Sequence, residues 1–172
     1  MEKKSILNKL RWLTIVDGEK RAAWIKRKNL IQSIGEHCLW QSRKYPMDPK
    51  LIKIGNNVTI AADVTFCTHD AIRHVAYYNA NSKKLAPHLG CIEVGDNCFI
   101  GLGSIIMPNV KIGENTIIGA GSIVTKDIPD GSVAVGCPAK VIGTFDEVIK
   151  LREKEEYLSI NELWNEFYKN RN

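Results

Sequence analysis

From residue 94 to residue 124, every sixth position is a β-branched aliphatic: Val94, Ile100, Ile106, Ile112, Ile118 and Val124. Glycine follows four of them, at Gly95, Gly101, Gly113 and Gly119. Four places after each aliphatic come Cys98, Ser104, Val110, Thr116, Ser122 and Ile128, mostly small or β-branched. An earlier block has the same shape in another register. It runs Ile54-Gly55-Asn56-Asn57-Val58-Thr59, then Ile60-Ala61-Ala62-Asp63-Val64-Thr65, then Phe66. Ile34-Gly35-Glu36-His37-Cys38-Leu39 is a third fragment. The changes of register place insertions at about 40–53 and 68–92.

A period of six matches neither the 3.6 of an α-helix nor the 2 of a plain strand. It matches an all-β solenoid, a parallel β-helix in which each hexapeptide is one short strand and a corner. The aliphatic points inward and stacks on its equivalents in neighbouring coils. The small residue four places later fills the rest of the core. Gly or Asn at a corner takes a positive φ at little cost.

The flanks are patterned differently. Residues 3–13 and 19–31 are charged with scattered Trp, Leu and Ile, which predicts two short helices. Thr144-Phe145-Asp146-Glu147 and Ser159-Ile160-Asn161-Glu162 are capping boxes, predicting helices over 145–156 and 160–170. The organisation is therefore an N-terminal helical segment over 1–33, a β-helix over 34–143, and C-terminal helices over 144–172. A long loop is expected at about 70–91.

Charge adds one feature. The net charge is +5 over 172 residues. Residues 1–50 carry a net +7 and residues 51–172 a net −2, so the basic excess is N-terminal. Such an excess attracts a phosphorylated cofactor, an acidic glycan or a membrane surface, or is simply a solvated helix face. No nucleic-acid motif accompanies it. No apolar run approaches a membrane span and no secretory leader is seen. The five cysteines, Cys38, Cys67, Cys91, Cys98 and Cys137, form no Cys-x-x-Cys. They read as reduced thiols of a cytoplasmic protein.

Val94 to Gly143 resembles the left-handed β-helix acyltransferases with hexapeptide repeats. The most telling segments are Ile118-Gly119-Ala120-Gly121-Ser122-Ile123-Val124-Thr125-Lys126-Asp127-Ile128-Pro129 and Val135-Gly136-Cys137-Pro138-Ala139-Lys140-Val141-Ile142. They are similar to the galactoside, maltose and polysaccharide O-acetyltransferase branch and its xenobiotic relatives. The resemblance covers about residues 34–143. It implies a homotrimer with acetyl-coenzyme A in the groove between adjacent β-helices, and no metal. It implies a general-base histidine on a loop interrupting the coil, here His69. Coenzyme contacts carry over to Phe99, Gly101, Gly119, Ala120, Thr125, Lys126 and Lys140. Phe99 stands where the family has Trp. Some relatives have Arg at the position of Lys140, and Lys keeps the charge without the bidentate fork. Acceptor contacts carry over to Gln41 and Arg43 in the first insertion.

Elementary chemistry agrees with that assignment. A hydroxyl acceptor needs a base to take its proton, and histidine titrates near neutrality. The oxyanion of the tetrahedral intermediate needs fixed donors, which backbone N–H groups at a coil corner could supply. The residue that orients His69 is not identifiable from the sequence. Tyr77 and Tyr78 in the long insertion suggest a stacking surface for a sugar ring.

Other readings stand beside this one. Cys67, two residues before His69, could pair with it as a nucleophile. His69 and His74, with His37 upstream, could be the three ligands of a catalytic zinc in a carbonic-anhydrase-like trimer. Against zinc, the Arg-Gly-Asp type motif of those enzymes is missing. A non-catalytic β-helix scaffold is the third class. The expected function is acetyl transfer to a hydroxyl of a sugar or polysaccharide precursor, with a xenobiotic acceptor as the alternative.

Overall fold

The computed structural model describes residues 2–79, 85–169 and 171. The hexapeptides form short strands that pass in turn through three sheets. The first coil gives β1 (Ser33–Ile34) and β2 (Leu39–Trp40). The second gives β3 (Ile52–Ile54), β4 (Thr59–Ile60) and β5 (Thr65–Phe66). The third gives β6 (Ile92–Val94), β7 (Phe99–Ile100) and β8 (Ile105–Ile106). The fourth gives β9 (Val110–Ile112), β10 (Ile117–Ile118) and β11 (Ile123–Val124). A closing hairpin, β12 (Ser132–Gly136) and β13 (Ala139–Thr144), follows. Sheet one is ordered β1-β3-β6-β9, sheet two β13-β12-β10-β7-β4-β2, and sheet three β11-β8-β5. Every pairing is parallel except β12 with β13.

The register explains the shifts of the repeat. Ile92 pairs with Val110, eighteen residues on, which is one regular coil. Ser33 pairs with Lys53, twenty residues on, so the first coil holds two extra residues. They fall near the 3-10 turn Pro49–Leu51. Ile52 pairs with Ile92, forty residues on, and the surplus is the long insertion after β5.

The core is a set of aliphatic ladders. Ile34, Ile54, Val94 and Ile112 stack along sheet one, and Trp40, Ile60, Ile100, Ile118 and Ala134 along sheet two. Phe66, Ile106 and Val124 stack along sheet three. All of these are buried, as are Cys98, Ser104, Val110, Thr116, Ser122 and Ile128. Between sheets one and two, the corner residues Asn57, Asn97, Asn115 and Gly131 all have positive φ. Side-chain amides join this corner from coil to coil: Asn57 Nδ2 donates to Asn97 Oδ1 at 3.0 Å, and Asn97 Nδ2 to Asn115 Oδ1 at 3.1 Å.

The N-terminal end is closed by α1 (Glu2–Thr14) and α2 (Gly18–Arg27). α2 ends earlier than the pattern predicted. Asn29 takes a left-handed φ of 48°, which halts a helix. Trp12 packs edge-on against Trp24, Trp40 and Tyr45 over the open end of the solenoid. Arg21 is fully buried there. Its guanidinium donates to the carbonyls of Trp40 (2.7 Å), Gln41 (2.9 Å), Trp12 (3.3 Å) and Ile15. At the other end, α4 (Phe145–Arg152) and α5 (Ile160–Lys169) follow β13. Both predicted capping boxes form, and the first helix stops at Arg152 rather than 156.

The long insertion is not all loop. It contains α3 (Ile72–Tyr78), a short exposed helix. Its ends are tied together: His69 bridges Leu89, and Gly90 N donates to the Thr68 carbonyl at 2.8 Å. Part of the predicted insertion, 80–84, lies outside the described residues.

Candidate active site

The site begins with the two-residue surplus of the first coil. Residues 46–49 read Pro-Met-Asp-Pro. A residue before proline is kept out of the helical region, and Asp48 has φ −121° and ψ 81°. This places its carboxylate beside the residues that leave β5. The buried Thr68 donates its hydroxyl to Asp48 Oδ2 at 2.9 Å and accepts the Asp48 N–H at 3.2 Å. His69 Nδ1 lies 2.5 Å from the same Oδ2.

The protonation states follow from this geometry. The hydrogen bond from His69 holds the Asp48 carboxyl below its ordinary range, and the Thr68 hydroxyl adds to it. Asp48 is then a carboxylate at neutral pH, and a carboxylate only accepts. Nδ1 is therefore the donor of this contact. In the neutral imidazole with Nδ1 as donor, Nε2 is the nitrogen that can accept a proton.

Cys67 is placed differently from the nucleophile reading. Its thiol donates to the His69 backbone carbonyl at 3.4 Å. Cys38 and Cys98 are core thiols, and burial pushes Cys98 up to about 11. His37 occupies a positive-φ corner between β1 and β2, while His69 follows β5. Among the described residues no group of three His, Cys, Asp or Glu side chains is placed to hold a metal ion.

The remaining candidates fall on two edges of sheet three. Gly101, Gly119 and Ala120 form the corner where sheet two turns into sheet three. The backbone is tight there: a Cβ at Gly101 would lie 2.5 Å from Ala120 N, and one at Gly119 2.6 Å from Val135 Cγ1. Gln41 continues this corner, since its N–H donates to the Ile60 carbonyl as Gly101 N–H donates to that of Ile118. Arg43 follows it, exposed. Phe99, on sheet two just before the corner, is 42% exposed despite its size. Lys140 is exposed on β13, paired with Val135.

Thr125 and Lys126 lie at the opposite edge, where sheet three turns toward sheet one. Thr65, Ile105 and Ile123 are in register, so Lys126 stacks two coils beyond Thr68, roughly 10 Å along the edge. This edge also carries the Asp48–His69 pair. The turn at Ala120–Gly121 and the strand β11 separate Ala120 from Thr125 across sheet three. One chain thus brings His69 to the edge of Thr125 and Lys126. It keeps Gly101, Gly119, Ala120, Gln41 and Arg43 on the other edge. Tyr77 and Tyr78 are exposed on α3, edge to face with ring centroids 5.0 Å apart.

Asp48 is the residue that sequence reasoning missed. The twenty-residue step from Ile34 to Ile54 applies equally to Asp48 and Thr68, so that register was the available signal.

Comparison with known proteins decides the family. Residues 91–126 match the family model described as bacterial transferase hexapeptide (six repeats). Protein CapG of Staphylococcus aureus is 40% identical over 157 residues, covering 85% of this chain and 90% of CapG. The chain belongs to the hexapeptide-repeat acetyltransferases. Among solved structures, a galactoside acetyltransferase in complex with coenzyme A superposes with a TM-score of 0.61 at 28% identity, over 88% of this chain and 82% of that one. A maltose O-acetyltransferase from Clostridium difficile gives a TM-score of 0.60 at 30% identity, over 79% and 81%. Membership of this family implies the left-handed sense of the coil.

Proposed function

We propose that this chain is an acetyl-CoA-dependent O-acetyltransferase whose acceptor is a hydroxyl of a sugar or a polysaccharide precursor. The observation that carries the mechanism is the 2.5 Å contact between His69 Nδ1 and Asp48. It leaves Nε2 as a general base of defined direction. The relatives named as galactoside and maltose O-acetyltransferases support acetyl transfer to sugars.

In this mechanism Nε2 of His69 takes the acceptor hydroxyl proton as the oxygen attacks the thioester carbonyl carbon. Asp48 stabilises the resulting imidazolium. Backbone N–H groups at a coil corner hold the oxyanion. Collapse of the tetrahedral intermediate breaks the carbon–sulfur bond. The imidazolium returns the proton to the leaving sulfur, giving a free thiol and an acetyl ester.

A homotrimer completes the site. With parallel subunits, the edge bearing His69, Thr125 and Lys126 faces the neighbour's edge bearing Gly101, Gly119 and Ala120. The split of the candidates across sheet three supports this reading, because neither edge alone holds them all. Lys126 and Lys140 are the cations for the coenzyme phosphates. Phe99 walls the pantetheine arm.

The test is release of free thiol from acetyl-CoA with a panel of sugars, alongside calorimetric binding of acetyl-CoA. Wild type and His69→Ala should both bind, and only wild type should turn over. Failure of both to bind acetyl-CoA would remove the transferase assignment. Full turnover by His69→Ala would remove the histidine from it.

A further inference from the structure

The basic excess of the N-terminal segment has no part in the mechanism above, and the structure shows how it is displayed. At about 100° per residue, Leu13, Ile6, Leu10 and Leu7 of α1 form one arc of roughly 120°, whose span also takes in the positions of Lys3 and the exposed Thr14. All four are more than half exposed, as is Val16 just beyond the helix. Trp12, on the far side, is fully buried against the solenoid. The arc therefore faces outward from a helix anchored from behind.

Its borders are cationic. Lys9 flanks the arc on one side and Arg11 on the other, by the same angular spacing. Beside Arg11, α1 and α2 enclose a cleft of about 520 Å³ whose lining includes Val16, Lys20 and Arg27. Asp17 is its one acidic lining residue, 3.9 Å from Lys20 Nζ. An outward apolar arc between two cations, next to a basic cleft, is the arrangement of a helix lying in a lipid–water interface.

We propose that α1 is a membrane-docking element that places this end of the protein on an anionic bilayer. The apolar arc enters the boundary between headgroups and acyl chains. Lys9, Arg11, Lys20 and Arg27 meet the headgroup phosphates. The charge of the segment argues for this occupant over a second copy of the chain, which would bring like charges together. Asp48 and His69 lie on the first two coils, next to this end. On the function proposed above, docking sets the base beside acceptors displayed at the membrane; the docking itself does not require that function.

The test is sedimentation of the full chain with vesicles of phosphatidylcholine alone and with phosphatidylglycerol added, at low and high salt. Wild type should partition onto the anionic vesicles and be released by salt. Leu7→Ser with Leu10→Ser should abolish partitioning. Lys9→Ala with Arg11→Ala should weaken it about thirtyfold. Leu163→Ser with Phe167→Ser, which alters the exposed face of α5, should leave it unchanged. Unchanged melting temperatures would show that the α1 variants remain folded. Absence of wild-type partitioning, or full partitioning by the arc variant, would overturn the proposal. So would a larger wild-type assembly in solution that the arc variant dissociates, because that would assign the face to a second copy.

Discussion

Replacing Asp48 by Asn tests the base assignment with little change of shape. Asn keeps an oxygen that can accept from Nδ1, so the ring stays oriented, and what is lost is the negative charge beside the developing imidazolium. Two unit charges 4 Å apart interact by about 1 kcal/mol in water and about 4 kcal/mol at the effective dielectric of a protein surface. The His69 and Asp48 side chains are 39% and 38% exposed, so the value falls between these limits. A working figure of about 2 kcal/mol corresponds to roughly a thirtyfold loss. The assay is thiol release at saturating acetyl-CoA with varied acceptor, at neutral pH. The expected result is a fall in kcat of that size, with the KM for acetyl-CoA and the melting temperature little changed. Activity within threefold of wild type would refute the reasoning. So would a loss confined to the acetyl-CoA KM, since that would make Asp48 a binding residue.

Other perturbations follow from the same structure. Arg21→Met removes a buried cation from four carbonyls. It should destabilise the fold by about 3–5 kcal/mol, read in a denaturant titration. Ile100→Ala empties the middle of the sheet-two ladder and should cost about 2–5 kcal/mol in the same titration. Tyr77→Ala with Tyr78→Ala should raise the acceptor KM and leave acetyl-CoA binding unchanged; unchanged kinetics would remove the stacking surface. The depressed Asp48 carboxyl contributes stability that is present above its unfolded value of about 3.9 and lost as pH falls through the lower folded value. Acid unfolding monitored by circular dichroism should therefore be shallower in Asp48→Asn below about pH 4.

The repeat was legible because each hexapeptide places one aliphatic in a ladder, and the ladder leaves its period on the chain. Val94 to Val124 carries that period without interruption, and the aliphatic at each sixth position is buried. The helical caps were equally local, since Thr144 with Glu147 and Ser159 with Glu162 are single-turn motifs. What the sequence concealed depends on coil-to-coil register. Asp48 meets His69 only because the first coil runs two residues long, an offset visible only after β1 and β3 are aligned. The helix within the insertion was missed for another reason. α3 spans only seven residues and buries no described side chain, so its apolar positions, Ile72, Val75 and Ala76, make less than two turns of pattern. Gln41 and Arg43 were carried over from family resemblance. The structure places them at the corner away from His69 of the same chain.

The way Arg21 closes the N-terminal end bears on how the coil count is kept finite. β2 is the last strand of sheet two, and the carbonyls of Trp40 and Gln41 stand at this end of the stack. Left bare, a parallel β edge invites another molecule to add its own strand. The guanidinium occupies those carbonyls, and the tryptophan lid over it leaves no room for an incoming coil. Removing residues 1–31 would then expose that strand edge, and association through the uncapped face would rise with protein concentration.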